Sequence, residues 1–183
     1  MFLFGHLGIG ERLGRPFTNP STRAALLLGC VLPDLVDKPL YYGLAFATGK
    51  HAAELGLISS TRTIGHTLLF AILCGALVRG PRGRALFVGM VTHLMLDLGG
   101  DLFGSALVEA GLASPSPSTG PSTLAAVLFP LLGPHFPISP FHSLKEHALS
   151  LGSAYVLSGE LLGATLLALD WRKRRASPPP QVN

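Results

Sequence analysis

The residues with the clearest chemical potential lie in one apolar stretch, ALFVGMVTHLMLDLGGDLFG (85–104), which carries His93, Asp97 and Asp101 at four-residue intervals. On an α-helix such residues share a face. His142 and Glu146 repeat the His-x-x-x-acid spacing further on. His66 stands alone near the start of another apolar run, and Asp34 and Asp37 follow Pro33. Imidazoles and carboxylates are the ligands of hard-to-borderline divalent metals such as zinc and manganese. A metal held this way acidifies water and polarises an ester oxygen. The expectation is one or two ions, zinc first and manganese second, held by His66, His93, Asp97 and Asp34, with His142 as a further ligand. Asp37 or Glu146 is expected to take the proton.

The elements that must position these groups read as membrane helices. Of 183 residues, 48% are hydrophobic and 13% charged, with mean hydropathy +0.47. An ordinary soluble domain has about 25% charged residues. The organising stretch is long enough to cross a bilayer, which takes roughly 20 residues. Ionisable groups inside such a stretch mark function by default. Residues 63–78 and 149–169 read as further spans. Residues 24–46 read as a span broken by Pro33 and Pro39, facing a polar cavity. The segment 2–14 with His6 is too short to span and is expected at the interface or inside the bundle. Residues 123–141, with prolines at 130, 134, 137 and 140, read as a re-entrant or interfacial segment.

Arg12, Arg15 and Arg23, the 79–84 loop and the WRKRR run place these stretches on the cytoplasmic side by the positive-inside rule. Four crossings and one dipping segment satisfy that orientation. The expected architecture is therefore an all-α polytopic bundle: one embedded domain over 1–170 and a disordered, basic cytoplasmic tail over 171–183. The formal charge of +4 is distributed as membrane-edge clusters, not as a nucleic-acid surface. Two cysteines inside apolar runs indicate neither a disulfide framework nor a thiolate site. The N-terminus lacks the pattern of a cleaved signal peptide.

His6, LLGCVLPDLVD, TRTIGHTLL, GMVTHLMLDLGGDLFG and VLFPLLGPHFP, in that order, resemble the membrane-bound metal-dependent hydrolases related to the bacterial inner-membrane protein YdjM. The motif order is also similar to that of zinc-dependent phospholipase C, and the resemblance covers roughly residues 1–147. It implies metal ligation by His6, Asp34, His66, His93 and Asp97, and a location in a bacterial inner membrane. His142 and Glu146 match the phospholipase pattern only. Where the membrane family has a His-Arg-Gly lead into its histidine motif, this chain has Ser60-Thr61-Arg62-Thr63.

The expected function is hydrolysis of a phosphoester or similar bond in a lipid-like or envelope substrate, by metal-activated water. Two other classes fit the same residues. A non-catalytic bundle would use them as a structural metal site or as polar contacts between helices. An ion transporter would use intramembrane acids as a path.

Overall fold

A computed structural model describes residues 3–112, 121–133, 136–141 and 143–176. Among them the chain is all-α, with eight helices and no strand: α1 (Leu3–Gly14), α2 (Arg23–Gly29), α3 (Leu32–Thr48), α4 (Leu68–Val78), α5 (Gly80–Glu109), α6 (Pro121–Val127), α7 (Leu144–Leu149) and α8 (Ala154–Ala176). The long helix α5 is the axis. α2 and α4 pack along it, and α1 lies between α5 and α8.

Glycine contacts make these pairings close. A Cβ on Gly8 of α1 would sit 2.0 Å from the Gly163 carbonyl oxygen of α8. A Cβ on Gly89 of α5 would sit 2.2 Å from the Leu26 oxygen of α2, and one on Gly83 would sit 2.2 Å from the Gly75 oxygen of α4. Three helix pairs are thus in backbone contact, the packing mode typical of helices in lipid. α1 enters the bundle with its first N–H groups capped from outside: Phe4 and Gly5 donate to the Glu160 carboxylate at 2.8 and 2.9 Å. That contact satisfies orphan donors at a helix N-terminus and fixes the height of His6.

Among the described residues, α5 alone is long and apolar enough to cross a membrane, against about four expected spans. Each shortfall has a local cause. The 24–46 stretch breaks at Cys30–Val31, before Pro33, and Pro33 then occupies the first turn of α3, where a missing N–H costs nothing. Pro39 lies inside α3 without ending it. The 63–78 stretch is helical only from Leu68, because the Thr67 hydroxyl accepts from Phe70 N and sets the N-cap. Residues 59–67 are consequently a loop that wraps the end of the bundle. The last helix is α8, and it extends through 171–176, where a disordered tail was expected to begin. Its basic last turn suits the negative end of the helix dipole, and Arg174 is tied to Glu11. Residues 177–183 lie outside the described residues.

The interior is mixed. His6, Glu11, Asp37, His66, His93 and Asp97 are buried, as are Leu26, Tyr41, Leu86 and Met90, whereas Phe46, Leu77, Leu131 and Leu112 are 94, 84, 83 and 76% exposed.

Candidate metal centre

Five residues from four segments converge at one end of the bundle. His6 comes from α1, Asp34 from the first turn of α3, His66 from the 59–67 loop, and His93 and Asp97 from one face of α5. His66, His93 and Asp97 form one set whose ligand atoms lie within 4.8 Å of one another, and His6, Asp34 and His93 form another. The α5 pair meets because i and i+4 side chains stack along a helix. His6 reaches them because α1 runs antiparallel to α5 and lies inside the bundle, not at its edge.

Each of the two central histidines is oriented by its Nδ1. That of His66 is 2.8 Å from the Asp37 carboxylate, and that of His93 is 2.7 Å from the Cys30 carbonyl oxygen. Both partners accept only, so both Nδ1 atoms donate, and each Nε2 presents a lone pair whenever its ring is neutral. Those two Nε2 atoms are 3.2 Å apart. Asp97 Oδ2 lies 3.4 Å from His66 Nε2 and 3.7 Å from His93 Nε2, and Asp34 Oδ1 lies 3.6 and 4.0 Å from them. Two ligand atoms at roughly 2.05 Å from one zinc, at the tetrahedral angle, are about 3.3 Å apart. The observed separations bracket that edge. His6 stacks on the His93 ring at 3.8 Å and addresses the other oxygen, Asp97 Oδ1, at 3.3 Å.

Asp37 is fully buried behind the cluster. Its Oδ2 accepts from Thr63 N (2.6 Å), His66 N (3.2 Å) and His66 Nδ1, and its Oδ1 accepts from Gly65 N (2.9 Å). This is the carboxylate–histidine arrangement that orients metal ligands, and it places Asp37 behind His66, not on the cluster side where a base was expected. Gly65 is required for the approach: a Cβ there would stand 2.8 Å from the Pro33 carbonyl oxygen. Glu146, the other expected base, is exposed on the short helix α7, and the two ligand sets form without it. His142 lies outside the described residues.

Charge around the cluster is unbalanced. Asp34, Asp37, Asp97 and Asp101 face Lys38, 2.6 Å from Asp34, and Arg62, whose Nε is 3.1 Å from Asp97 and whose Nη1 is 2.9 Å from both Asp101 oxygens. Against these two cations the carboxylates keep two negative charges in excess, and a protonated His66 ring offsets one of them until an ion displaces its proton. On His66, burial alone would favour the neutral ring. The hydrogen bonds to Asp37 and Asp97 and the charges of Asp34 and Asp97 outweigh it and lift the pKa to about 9.

Arg62, which by sequence could either steer a phosphate or mark a membrane edge, is a half-buried member of the site. Its one sequence signal is its position four residues before His66. Asp101, the third acid of the α5 face, is its anchor. Arg62 also lines a cavity of about 210 Å³ with Ser60, Thr61, Ser139, Phe141 and His147. A narrow cleft lined by Arg62, His66, Asp97 and Pro137 adjoins it. The extended segment at 137–141 forms the cavity wall: Ser139 N donates to the Ser59 oxygen at 2.9 Å and Ser59 Oγ to the Pro137 oxygen at 3.1 Å. His147, expected at the surface, stacks on Phe141 and bonds the Tyr42 hydroxyl at 2.8 Å. Burial lowers its pKa to about 4.

Compared with family models, curated proteins and solved structures, the chain matches none.

Proposed function

We propose that this chain is a membrane-embedded, metal-dependent hydrolase acting on a phosphoester of a lipid-like substrate. The supporting observation is the convergence of the Nε2 atoms of His66 and His93, 3.2 Å apart, with two carboxylates beside them. Without an ion one ring can donate to the other; a cation takes the place of that proton, and the separation fits two ligands of one zinc. His66, His93, Asp97 and Asp34 hold the ion, His6 supports Asp97, and Asp37 orients His66. When bound, such a metal supplies an acidified water and a polarised ester oxygen. Arg62, reaching from Asp97 to the adjoining cavity, is suited to an anionic substrate group. The YdjM-like resemblance agrees with this reading and carries the inner-membrane location.

Membrane embedding is part of the proposal. Length and apolarity alone are shared with core helices of soluble bundles, but a partly polar interior, glycine-mediated contacts and an outer surface of exposed leucine and phenylalanine favour a lipid surround.

The test is turnover of chromogenic phosphomonoesters, phosphodiesters and glycerophospholipids by zinc- or manganese-loaded protein in detergent. Activity on one class, lost in His93→Ala, is expected. Arg62→Gln should raise KM for that substrate more than it lowers kcat.

One observation favours a second reading. His93 is fully buried, and His6 and His66 are 1 and 3% exposed, the burial of a structural site. A structural metal predicts that the loaded protein is stabilised and turns over no substrate of any class.

A further inference from the structure

Ten of the fourteen lysines and arginines lie in three stretches, 12–23, 79–84 and 172–175. The fold gathers all three at the end of the bundle opposite the histidine cluster. Arg15 of the α1–α2 connection pairs with Asp170 of α8, Arg23 with Glu11, and Arg174 with Glu11. Arg79 and Arg82, at the α4–α5 turn, share a cavity with Ser21 and Thr22.

Between α1, α2 and α8 these contacts enclose a second cavity of about 310 Å³, lined by Arg15, Arg23, Lys173, Arg174, Asn19 and Thr18 among others. Its floor is organised by one buried acid. Glu11, 1% exposed, accepts from Arg15 at 3.1 Å, from Arg174 at 3.0 Å and from Arg23 at 2.5 and 2.8 Å. Burial pushes the Glu11 carboxyl up, but the hydrogen bonds and charges of Arg23 and Arg15 overcome it and hold the group ionised. Asp170 adds a second carboxylate, against Arg15 and Arg12. Two acids therefore hold four arginines, Arg12 among them, and with Lys173 in the cavity lining the net positive charge is three. Glu11 brings the guanidinium groups closer than mutual repulsion would allow and leaves most of their charge uncancelled.

The segments that carry the lining residues also expose apolar side chains to the surroundings: Leu13, Phe17 and Trp171 are 48, 67 and 55% exposed, and Arg175 lies 4.0 Å over the Trp171 ring. Fixed guanidiniums suit a phosphate oxygen through paired N–H donors. Basic pockets between helices on the cytoplasmic side are where acidic lipid head groups bind.

We propose that this cavity is a binding site for the phosphate-bearing head group of an anionic phospholipid, with the acyl chains lying along Leu13, Phe17 and Trp171. It is separate from the histidine cluster. Arg15 follows His6 by nine residues, just past the end of α1, roughly 14 Å at the helical rise.

The test is lipid retention by the full chain in detergent, measured by native mass spectrometry with phosphatidylglycerol and phosphatidylcholine offered in parallel. Expected is at least tenfold preference for phosphatidylglycerol, reduced tenfold or more in Arg23→Gln/Arg174→Gln. Because that pair also supports Glu11, the exposed Lys173→Gln is measured beside it and should lose part of the preference with unchanged helical content. Equal retention of the two lipids, or an unchanged preference in both variants, would overturn the proposal. Displacement of the lipid by inorganic phosphate at equal concentration would overturn it as well, by making the site one for free phosphate.

Discussion

Replacing Asp37 by Asn separates the two roles open to this carboxylate. The fully buried side chain accepts four hydrogen bonds, three at Oδ2 and one at Oδ1. An asparagine oxygen in the Oδ2 position keeps three donors, but its amide then faces the Gly65 N–H. Leaving that donor unmatched costs about 1–3 kcal/mol, and the remaining bonds lose charge assistance, so a destabilisation of about 3 kcal/mol is expected. The His66 ring also loses the charge that makes it a better ligand. Removing such an outer partner weakens metal binding by about 10–100-fold, equivalent to about 1.4–2.7 kcal/mol. The assay is zinc competition against a chromophoric chelator, with thermal unfolding of the metal-free and loaded protein. If Asp37→Asn keeps wild-type zinc affinity and loses only turnover, Asp37 is a base and the orienting role assigned here is wrong.

Gly8→Ala places a Cβ 2.0 Å from the Gly163 carbonyl oxygen. Neither backbone can move without separating α1 from α8, so a cost of about 3 kcal/mol is expected in thermal unfolding, at the upper end of overpacking effects. Glu11→Gln leaves three arginines around a neutral group and should cost about 3–5 kcal/mol, as loss of one partner of a buried ion pair does. Because the folded-state pKa of Glu11 lies below the ordinary glutamate value of 4.5, its contribution is present above that pH and is lost as pH falls through the folded value. A stability profile against pH should therefore fall more steeply below 4.5 in the wild type than in Glu11→Gln. Cys30→Ala should leave zinc affinity within about threefold, since His93 is oriented by the Cys30 backbone oxygen and not by its thiol; competition with the same chelator checks this.

The parts of the site that lie on one helix were legible in the sequence, because His93 and Asp97 need only helical periodicity to share a face. His66 and Asp34 were legible by residue type, as polar groups inside apolar runs. What brings them together was not. The Cys30 carbonyl becomes a partner of His93 because the backbone breaks at Cys30–Val31, and no residue type there announces it. The Asp37–His66 contact depends on how the 59–67 loop folds back, which no spacing encodes. Arg62 and Glu11 were underread for a related reason. Arg62 meets Asp101 39 residues away along the chain, and Glu11 meets Arg174 163 residues away. The all-α class followed from the apolar patterning, but helix lengths did not, since Thr67 and the Cys30–Val31 break shorten two of the expected spans.

The central claim is that the histidine–aspartate cluster holds a divalent metal. It is tested most directly by the metal content of detergent-purified protein, wild type beside His93→Ala and Asp97→Ala, after exposure to zinc or manganese. Stoichiometric metal in the wild type that is absent from both variants, with helical content retained, is the expected result. A folded wild type that stays empty when offered either ion would contradict the account and leave His66, His93 and Asp97 as polar contacts between helices.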